Sequence, residues 1–157
     1  MKITIFKACL IGVLAAFSIT ANANTTPAAN DYKKIILDFI DSHMNANYKK
    51  LNKIMNDDAT FKIPRGENVV VQTKAALVDD MKQTGQLKQN CQSKYEVVAQ
   101  SSSLVIARVD FNYENTVQQN YLILEKNADK EWKITQVCKI FNDKDVAATE
   151  QKAIAKN

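Results

Sequence analysis

The first half of the chain carries its hydrophobic residues with a helical period. From Asn30, a predicted N-cap, apolar side chains recur every three to four residues as far as Met44 and form one continuous stripe. The polar segment 45–47 interrupts this stripe, and a second, shorter stripe covers residues 48–55. The pattern predicts two consecutive helices, the second of which ends before the polar segment 56–58.

A short hairpin and a third helix follow in the predicted order. Segments 60–63 and 69–72 are rich in β-branched residues and flank a turn that contains Pro and Gly. Thr73 is a suitable N-cap for segment 74–84, whose apolar residues share one face, and Gly85 follows as a helix stop.

The second half changes to the pattern of β-strands. Short polar turns separate four strand-like segments, so these strands must form an antiparallel meander. The four predicted strands are 94–100, 104–113, 116–126 and 132–141. Helices packed on one face of such a sheet make an α+β domain over residues 30–141. The polar segment 142–157 is predicted to be a frayed helix or a disordered tail.

The order of these elements resembles a known superfamily. The chain resembles the nuclear transport factor 2-like (NTF2-like) superfamily in its order of elements, which is helix, helix, hairpin, helix and a four-stranded meander. The last strand opens with W-K-I-T-Q-V. The resemblance is to its secreted bacterial members of the lumazine-binding type, and it covers residues 30–141. It implies helices packed on a strongly curved antiparallel sheet, which forms a cone whose open end holds small ligands.

Turn lengths predict which strand residues share the inner face of this sheet. Turns of three, two and three residues make that face apolar at one end and polar at the other, where Gln118, Asn120 and Gln136 lie. A buried amide costs free energy unless it is hydrogen-bonded, so these amides either satisfy one another or line a wet pocket. In a register shifted by one residue they face water instead.

The resemblance favours the pocket, and with it a small apolar or amphipathic ligand. The predicted lining residues are His43, Tyr95, Phe111, Gln118, Asn120 and Gln136.

His43, the single histidine, lies on the apolar stripe of the first helix. Acids, tyrosines and histidines in the cone transfer protons in enzymes of this superfamily such as the steroid isomerases and dehydratases, which makes His43 a candidate base. The alternative is a core or rim histidine that hydrogen-bonds to a backbone carbonyl. Arg108 and Asp110 alternate onto the face opposite Val109, so the catalytic carboxylate of the isomerases is not carried over to Asp110.

The start of the chain has the pattern of a secretory signal peptide. Residues 1–7 carry two lysines and no acid, residues 8–19 are mostly apolar, and residues 21–23 fit the small-x-small cleavage rule. The apolar run is shorter than the about 20 residues that span a bilayer. We therefore predict cleavage that removes residues 1–23 together with Cys9, a leader at 24–29, and an extracytoplasmic protein without a membrane anchor.

Cys91 and Cys138 remain after this cleavage, in a compartment where disulfides persist. A bond between them would stabilise the domain by about 4 kcal/mol in the chain-entropy model, and the alternative is two buried free thiols. The meander separates the two cysteines by more than the about 7 Å that a disulfide tolerates between Cα atoms, unless the sheet is strongly curled. We predict the disulfide on such a curled sheet.

Composition and charge exclude several classes of function. The chain has 21 Lys+Arg against 17 Asp+Glu, but its lysines are spread singly and form no basic cluster with aromatics, so no nucleic-acid partner is expected. One histidine and two distant cysteines give no metal-ligand spacing, and no Gly-rich phosphate loop is present, so neither a metal nor a cofactor is expected.

The sequence therefore predicts an extracytoplasmic, non-catalytic ligand-binding or accessory domain. The first alternative is an isomerase, dehydratase or cyclase that uses His43. The second is a homodimeric interaction module, in which Arg108, Tyr121 and Ile123 on the outer face of the sheet meet a second copy.

Overall fold

The computed structural model describes residues 31–85 and 87–144. The predicted signal peptide 1–23 and leader 24–29 lie outside the described residues, and so does the larger part of the predicted tail, 145–157.

Three helices form where the hydrophobic period predicts them, namely α1 (Tyr32–Met44), α2 (Tyr48–Ile54) and α3 (Lys74–Thr84). The N-cap of α1 is Asp31, not Asn30, because the Asp31 carboxylate accepts a hydrogen bond from Lys33 N at 2.9 Å. The Asn47 side chain accepts one from Lys50 N in the same way at the start of α2.

The six strands form one sheet in the order β2-β1-β6-β5-β4-β3. They are β1 (Met55–Arg65), β2 (Asn68–Thr73), β3 (Gln92–Gln100), β4 (Leu104–Asn112), β5 (Thr116–Lys126) and β6 (Trp132–Asp143). All neighbours are antiparallel except β1 and β6, which pair in parallel with Phe61 opposite Val137. The hairpin β1–β2 thus extends the predicted meander at its β6 edge, and β6 runs two residues beyond the predicted end at Phe141.

The predicted register between β4 and β5 is confirmed. Phe111 lies opposite Gln118 and Val109 opposite Asn120, since a two-residue turn leaves the pairing no freedom. Tyr95 of β3 also lies opposite Val109 as predicted.

The predicted register between β5 and β6 is wrong. The turn covers residues 127–131 rather than three residues, and Thr135 is an extra, unpaired residue that forms a β-bulge. Lys139 therefore lies opposite Asn120, where the turn lengths predict Gln136.

The hydrophobic core lies between the three helices and the inner face of the sheet. Its fully buried side chains include Ile36, Phe61, Phe111, Leu122, Leu124 and Ile134. Within residues 31–85 and 87–144, no helix is long and apolar enough to cross a membrane.

Candidate functional site

A cavity of about 180 Å³ lies between the helices and the part of the sheet where β1 and β6 pair. Its apolar wall consists of Phe39, Leu51, Phe61, Leu77, Met81 and Leu87. Leu87 follows α3 and is 55% exposed, so the cavity reaches the surface on this side. The polar side chains in the wall are those of Ser42, His43, Thr84, Gln89 and Lys139.

His43 occupies the cavity wall at the last turn of α1. Its ring stacks on Phe111 of β4, with the two ring centroids 3.9 Å apart and the planes inclined by 25°. Burial lowers the pKa of His43 to about 4, and the positive charge of Lys139 contributes to this shift. The ring is therefore neutral at neutral pH.

Tyr113 continues a hydrogen-bonded chain from His43. Its hydroxyl lies 3.1 Å from Gln89 Oε1 and donates its single proton there. The same hydroxyl lies 2.8 Å from His43 Nε2 and accepts a hydrogen bond from it, which assigns the ring proton to Nε2 and leaves Nδ1 as the acceptor atom. Burial, together with the charge of the neighbouring Cys91 and a hydrogen bond to it, raises the pKa of Tyr113 to about 12.

Lys139 brings a positive charge to the cavity from the inner face of β6. Its Nζ atom lies 5.1 Å from the centroid of the Phe61 ring. No carboxylate in the described segments lies within the 4.0 Å ion-pair distance of this atom. Burial lowers the pKa of Lys139.

Gln118 and Asn120 lie on the inner face as predicted, but they satisfy each other and are not part of the cavity wall. Gln118 Nε2 donates to Asn120 Oδ1 at 2.9 Å, and Asn120 Nδ2 donates to the carbonyl oxygens of Val109 and Gln118. Asn120 is fully buried. Of the two possibilities that the sequence leaves open for this pair, the structure shows mutual hydrogen bonding.

The other predicted lining residues are dispersed. Phe111 is fully buried and stacks against the His43 ring. Tyr95 lies on the inner side of the edge strand β3, is 38% exposed and does not line the cavity. The prediction for Gln136 is wrong, because the bulge at Thr135 turns it to the outer face, where its Nε2 lies 3.3 Å from Cys138 Sγ.

The predicted disulfide is also wrong, since Cys91 and Cys138 are both free. The Cys91 thiol donates to Met44 Sδ at 3.4 Å, on the helix side of the sheet. Cys138 of β6 lies opposite Tyr121 of β5, on the outer face of the sheet. The bulge thus puts the two sulfur atoms on opposite faces of the sheet, and curvature of the sheet does not bring them together.

Asp110 faces outward, as the alternation of β4 predicts. Its carboxylate is only 3% exposed and lies 3.2 Å from Arg108 Nε and 3.5 Å from Lys94 Nζ. This acid therefore belongs to an ion-paired cluster on the outer sheet face. None of the described residues that line the cavity is an Asp or a Glu.

The sequence patterns do not predict the roles of Lys139, Tyr113 and Gln89 at this site. A signal for Lys139 exists in β6, because its buried residues Trp132, Ile134 and Val137 are spaced by two and then by three. A spacing of three within a strand indicates a bulge and a change of alternation. The described segments contain no group of three or more His, Cys, Asp and Glu residues arranged to hold a metal ion.

Several solved structures share this architecture. An NTF2-like protein of unknown function from Silicibacter pomeroyi DSS-3 matches with a TM-score of 0.60 at 8% identity, over 71% of this chain and 92% of that chain. An NTF2-like protein of unknown function from Methylobacillus flagellatus KT matches with a TM-score of 0.59 at 19% identity, over 70% of this chain and 88% of that chain.

A ketosteroid isomerase-like protein from Erwinia carotovora atroseptica SCRI1043 matches with a TM-score of 0.51 at 17% identity, over 68% of this chain and 90% of that chain. These similarities show that the chain has the NTF2-like fold, which confirms the α+β cone predicted from the order of elements. At such identities the likeness concerns the fold alone. No protein-family model matches the chain, and no curated protein matches it.

Proposed function

We propose that this NTF2-like domain binds a small amphipathic ligand in the cavity between its helices and sheet, and that it catalyses no reaction. The observation that carries this proposal is the cavity wall, which combines an apolar majority with a few convergent polar groups. Concave sites of this composition are the usual form of small-molecule sites in proteins.

The size of the cavity limits the ligand. An apolar cavity of about 150 Å³ holds a benzene molecule, and the cavity described above measures about 180 Å³. A ligand with one ring or a short alkyl chain, plus a small polar head, therefore fits. The polar head has donors and acceptors to meet at Gln89 and Lys139.

Two measurements test ligand binding. Native mass spectrometry of protein purified from its own compartment is expected to show a bound small molecule, and saturation-transfer NMR is expected to show binding of one-ring probes. Met81→Trp fills the cavity from α3 and should abolish both signals. Gln83→Trp places the same side chain on the exposed surface of α3 and should leave them unchanged. Absence of any bound species, or equal binding by Met81→Trp, would refute the proposal.

We also propose that the protein acts outside the cytoplasm, as a secreted protein of the lumazine-binding type. The support is the signal-peptide pattern of residues 1–23 and the sequence resemblance. N-terminal sequencing of protein recovered from the extracytoplasmic fraction should begin at Asn24. Lumazine, a flat bicyclic molecule, is a probe for the upper size limit of the cavity, and its failure to bind would separate this protein from that type.

An isomerase-like activity is the second candidate, favoured by the position of His43. The ring lines the cavity, and its Nε2 is bonded to Tyr113, so Nδ1 keeps a lone pair. A pKa of about 4 makes the imidazole a weak base, however. The test is exchange of the protons beside the carbonyl of cyclohexenone in D₂O. A rate above the buffer rate that disappears in His43→Gln would support catalysis and contradict a purely binding role.

A homodimer through the outer sheet face is a further proposal. Arg108 and Tyr121 lie opposite each other on that face, and Ile123 lies two residues along β5, with all three half-buried. Sedimentation at micromolar concentration is expected to give a dimer that dissociates in Tyr121→Glu, because the charge opposes an apolar contact. A wild-type monomer at that concentration would refute it.

A further inference from the structure

Two lysines of this domain are placed on its interior side, and they differ in their partners. Lys74 is buried, and its Nζ atom donates to Asp57 Oδ1 at 2.9 Å and to the carbonyl oxygen of Met55 at 3.2 Å. Lys139 has no such partner in the described segments: its Nζ atom neither forms an ion pair nor donates a hydrogen bond there. Lys139 is half-buried, so within the described segments its ammonium group is open to a ligand, whereas that of Lys74 is already paired.

Among residues 31–85 and 87–144, the cavity wall around Lys139 contains no Asp or Glu. The helices α1, α2 and α3 present Phe39, His43, Leu51, Leu77 and Met81 to the cavity, and β1 presents Phe61. Within the part of the chain that the structure describes, the ammonium group is stabilised by the face of the Phe61 ring alone. A cation–π contact replaces only part of the hydration that an ammonium group loses when it is partly buried, so an acceptor with a negative charge would add to it.

We infer that the ligand of this cavity carries a carboxylate group that pairs with the Lys139 ammonium group; this inference rests on the proposed function. A carboxylate supplies the acceptor atoms and the single negative charge that Lys139 lacks. One lysine neutralises one charge, so a monoanion fits better than a phosphate, which would bring a second charge into an apolar wall. The apolar residues around Phe61 and Met81 then take the ring or alkyl part of the acid.

The neighbouring His43 gives this pairing a second signature. The positive charge of Lys139 is one of the two causes that lower the pKa of His43. A carboxylate bound to Lys139 cancels that charge at the imidazole, so binding should raise the His43 pKa. A neutral ligand of the same shape should not.

Matched pairs of probes test the inference on the wild-type protein. Benzoate and benzamide have the same ring, as hexanoate and hexanamide have the same chain, and each pair differs in the charge of its head group. Isothermal titration calorimetry at neutral pH should give an affinity at least about tenfold higher for the acids than for the amides, as for other hydrogen bonds to charged groups. NMR should show a rise of the His43 pKa with benzoate only.

Variants test whether Lys139 causes the preference for the acids. Lys139→Met should lower the affinity for the acids to that for the amides, and Lys139→Arg should keep the preference. Lys62→Met is the matched control, because Lys62 lies opposite Cys138 on the outer face of the same sheet region. It should bind like the wild type.

The outcomes separate the inference from the proposed function. Equal affinity of the wild type for acid and amide would overturn the carboxylate pairing and leave small-ligand binding intact. If Lys139→Met kept the same preference for the acids over the amides as the wild type, this would also overturn the pairing. If no probe binds and no native ligand is found, both the carboxylate pairing and the proposed ligand binding would be refuted.

Discussion

Acidification below about pH 6.5 should destabilise this domain because of His43. Its pKa is about 4 in the folded protein, against 6.5 as the ordinary value. Between these two values the unfolded chain binds a proton at His43 that the folded chain does not bind. Lower pH therefore favours the unfolded state, and the loss grows as pH falls from 6.5 towards 4.

The size of the effect follows from the two pKa values. Near pH 7.5 both states are neutral at His43, so this residue adds no pH dependence there. At about pH 5 the unfolded state is almost fully protonated and the folded state is not, which lowers the free energy of unfolding by about 2 kcal/mol. The carboxyl groups of Asp41 and Asp57 also have lowered pKa values, but these groups lose their stabilising contribution only at pH values near and below 3.8.

Urea denaturation at about pH 7.5 and about pH 5 measures this difference directly. The matched variant is His43→Gln, which cannot titrate and should lose most of the pH dependence. Lys139→Met should raise the His43 pKa towards 6.5, as followed by the imidazole proton shifts in NMR. A wild-type His43 pKa near 6.5, or an unchanged pH dependence in His43→Gln, would show that the ring is not desolvated as described.

Three further predictions concern stability and the cysteines. Asn120→Ala should lower the free energy of unfolding by about 2 to 3 kcal/mol in urea denaturation, because the buried Gln118 amide loses its acceptor; a loss no larger than that of an exposed Asn52→Ala control would contradict the hydrogen-bond assignment. Asn47→Ala removes the side-chain cap of α2 and should cost about 1 kcal/mol in the same assay, whereas Asn47→Asp should be nearly neutral. Alkylation of the unfolded, unreduced protein followed by peptide mapping should label both Cys91 and Cys138; recovery of a cross-linked peptide would refute the placement of these residues on opposite faces.

The parts of the fold that local chemistry determines are the parts that the sequence predicts. The bounds of α3 follow from Thr73 and Gly85, which act on the backbone of their immediate neighbours. The β4–β5 register follows from the two-residue turn between them, which fixes Val109 opposite Asn120. In both cases the determining residues are adjacent in the chain to what they determine.

The cavity depends on contacts between distant segments, and the sequence predicts less of it for that reason. The sequence points to His43 because it lies on a helical stripe, but Tyr113, which bonds to it, and Gln89, which bonds to Tyr113, come from segments far along the chain. The parallel pairing of β1 with β6 closes the cavity floor, and no turn constrains it. Turn lengths do not predict the inward position of Lys139, because the bulge at Thr135 lies in the middle of a strand.

The extra residue in β6 also affects how this chain should be aligned with others of its fold. In a strand without the bulge, the inward position opposite Asn120 comes one residue earlier after Trp132 than Lys139 does here. An ungapped alignment of the two strands would equate Lys139 with an outward-facing residue, and at identities of 8% to 19% neighbouring residues would not reveal the error. A one-residue gap at Thr135 brings Lys139 into line with the inward-facing residue of the other strand. The residue that corresponds to Lys139 in other chains of this fold should therefore be identified from the alignment that contains this gap.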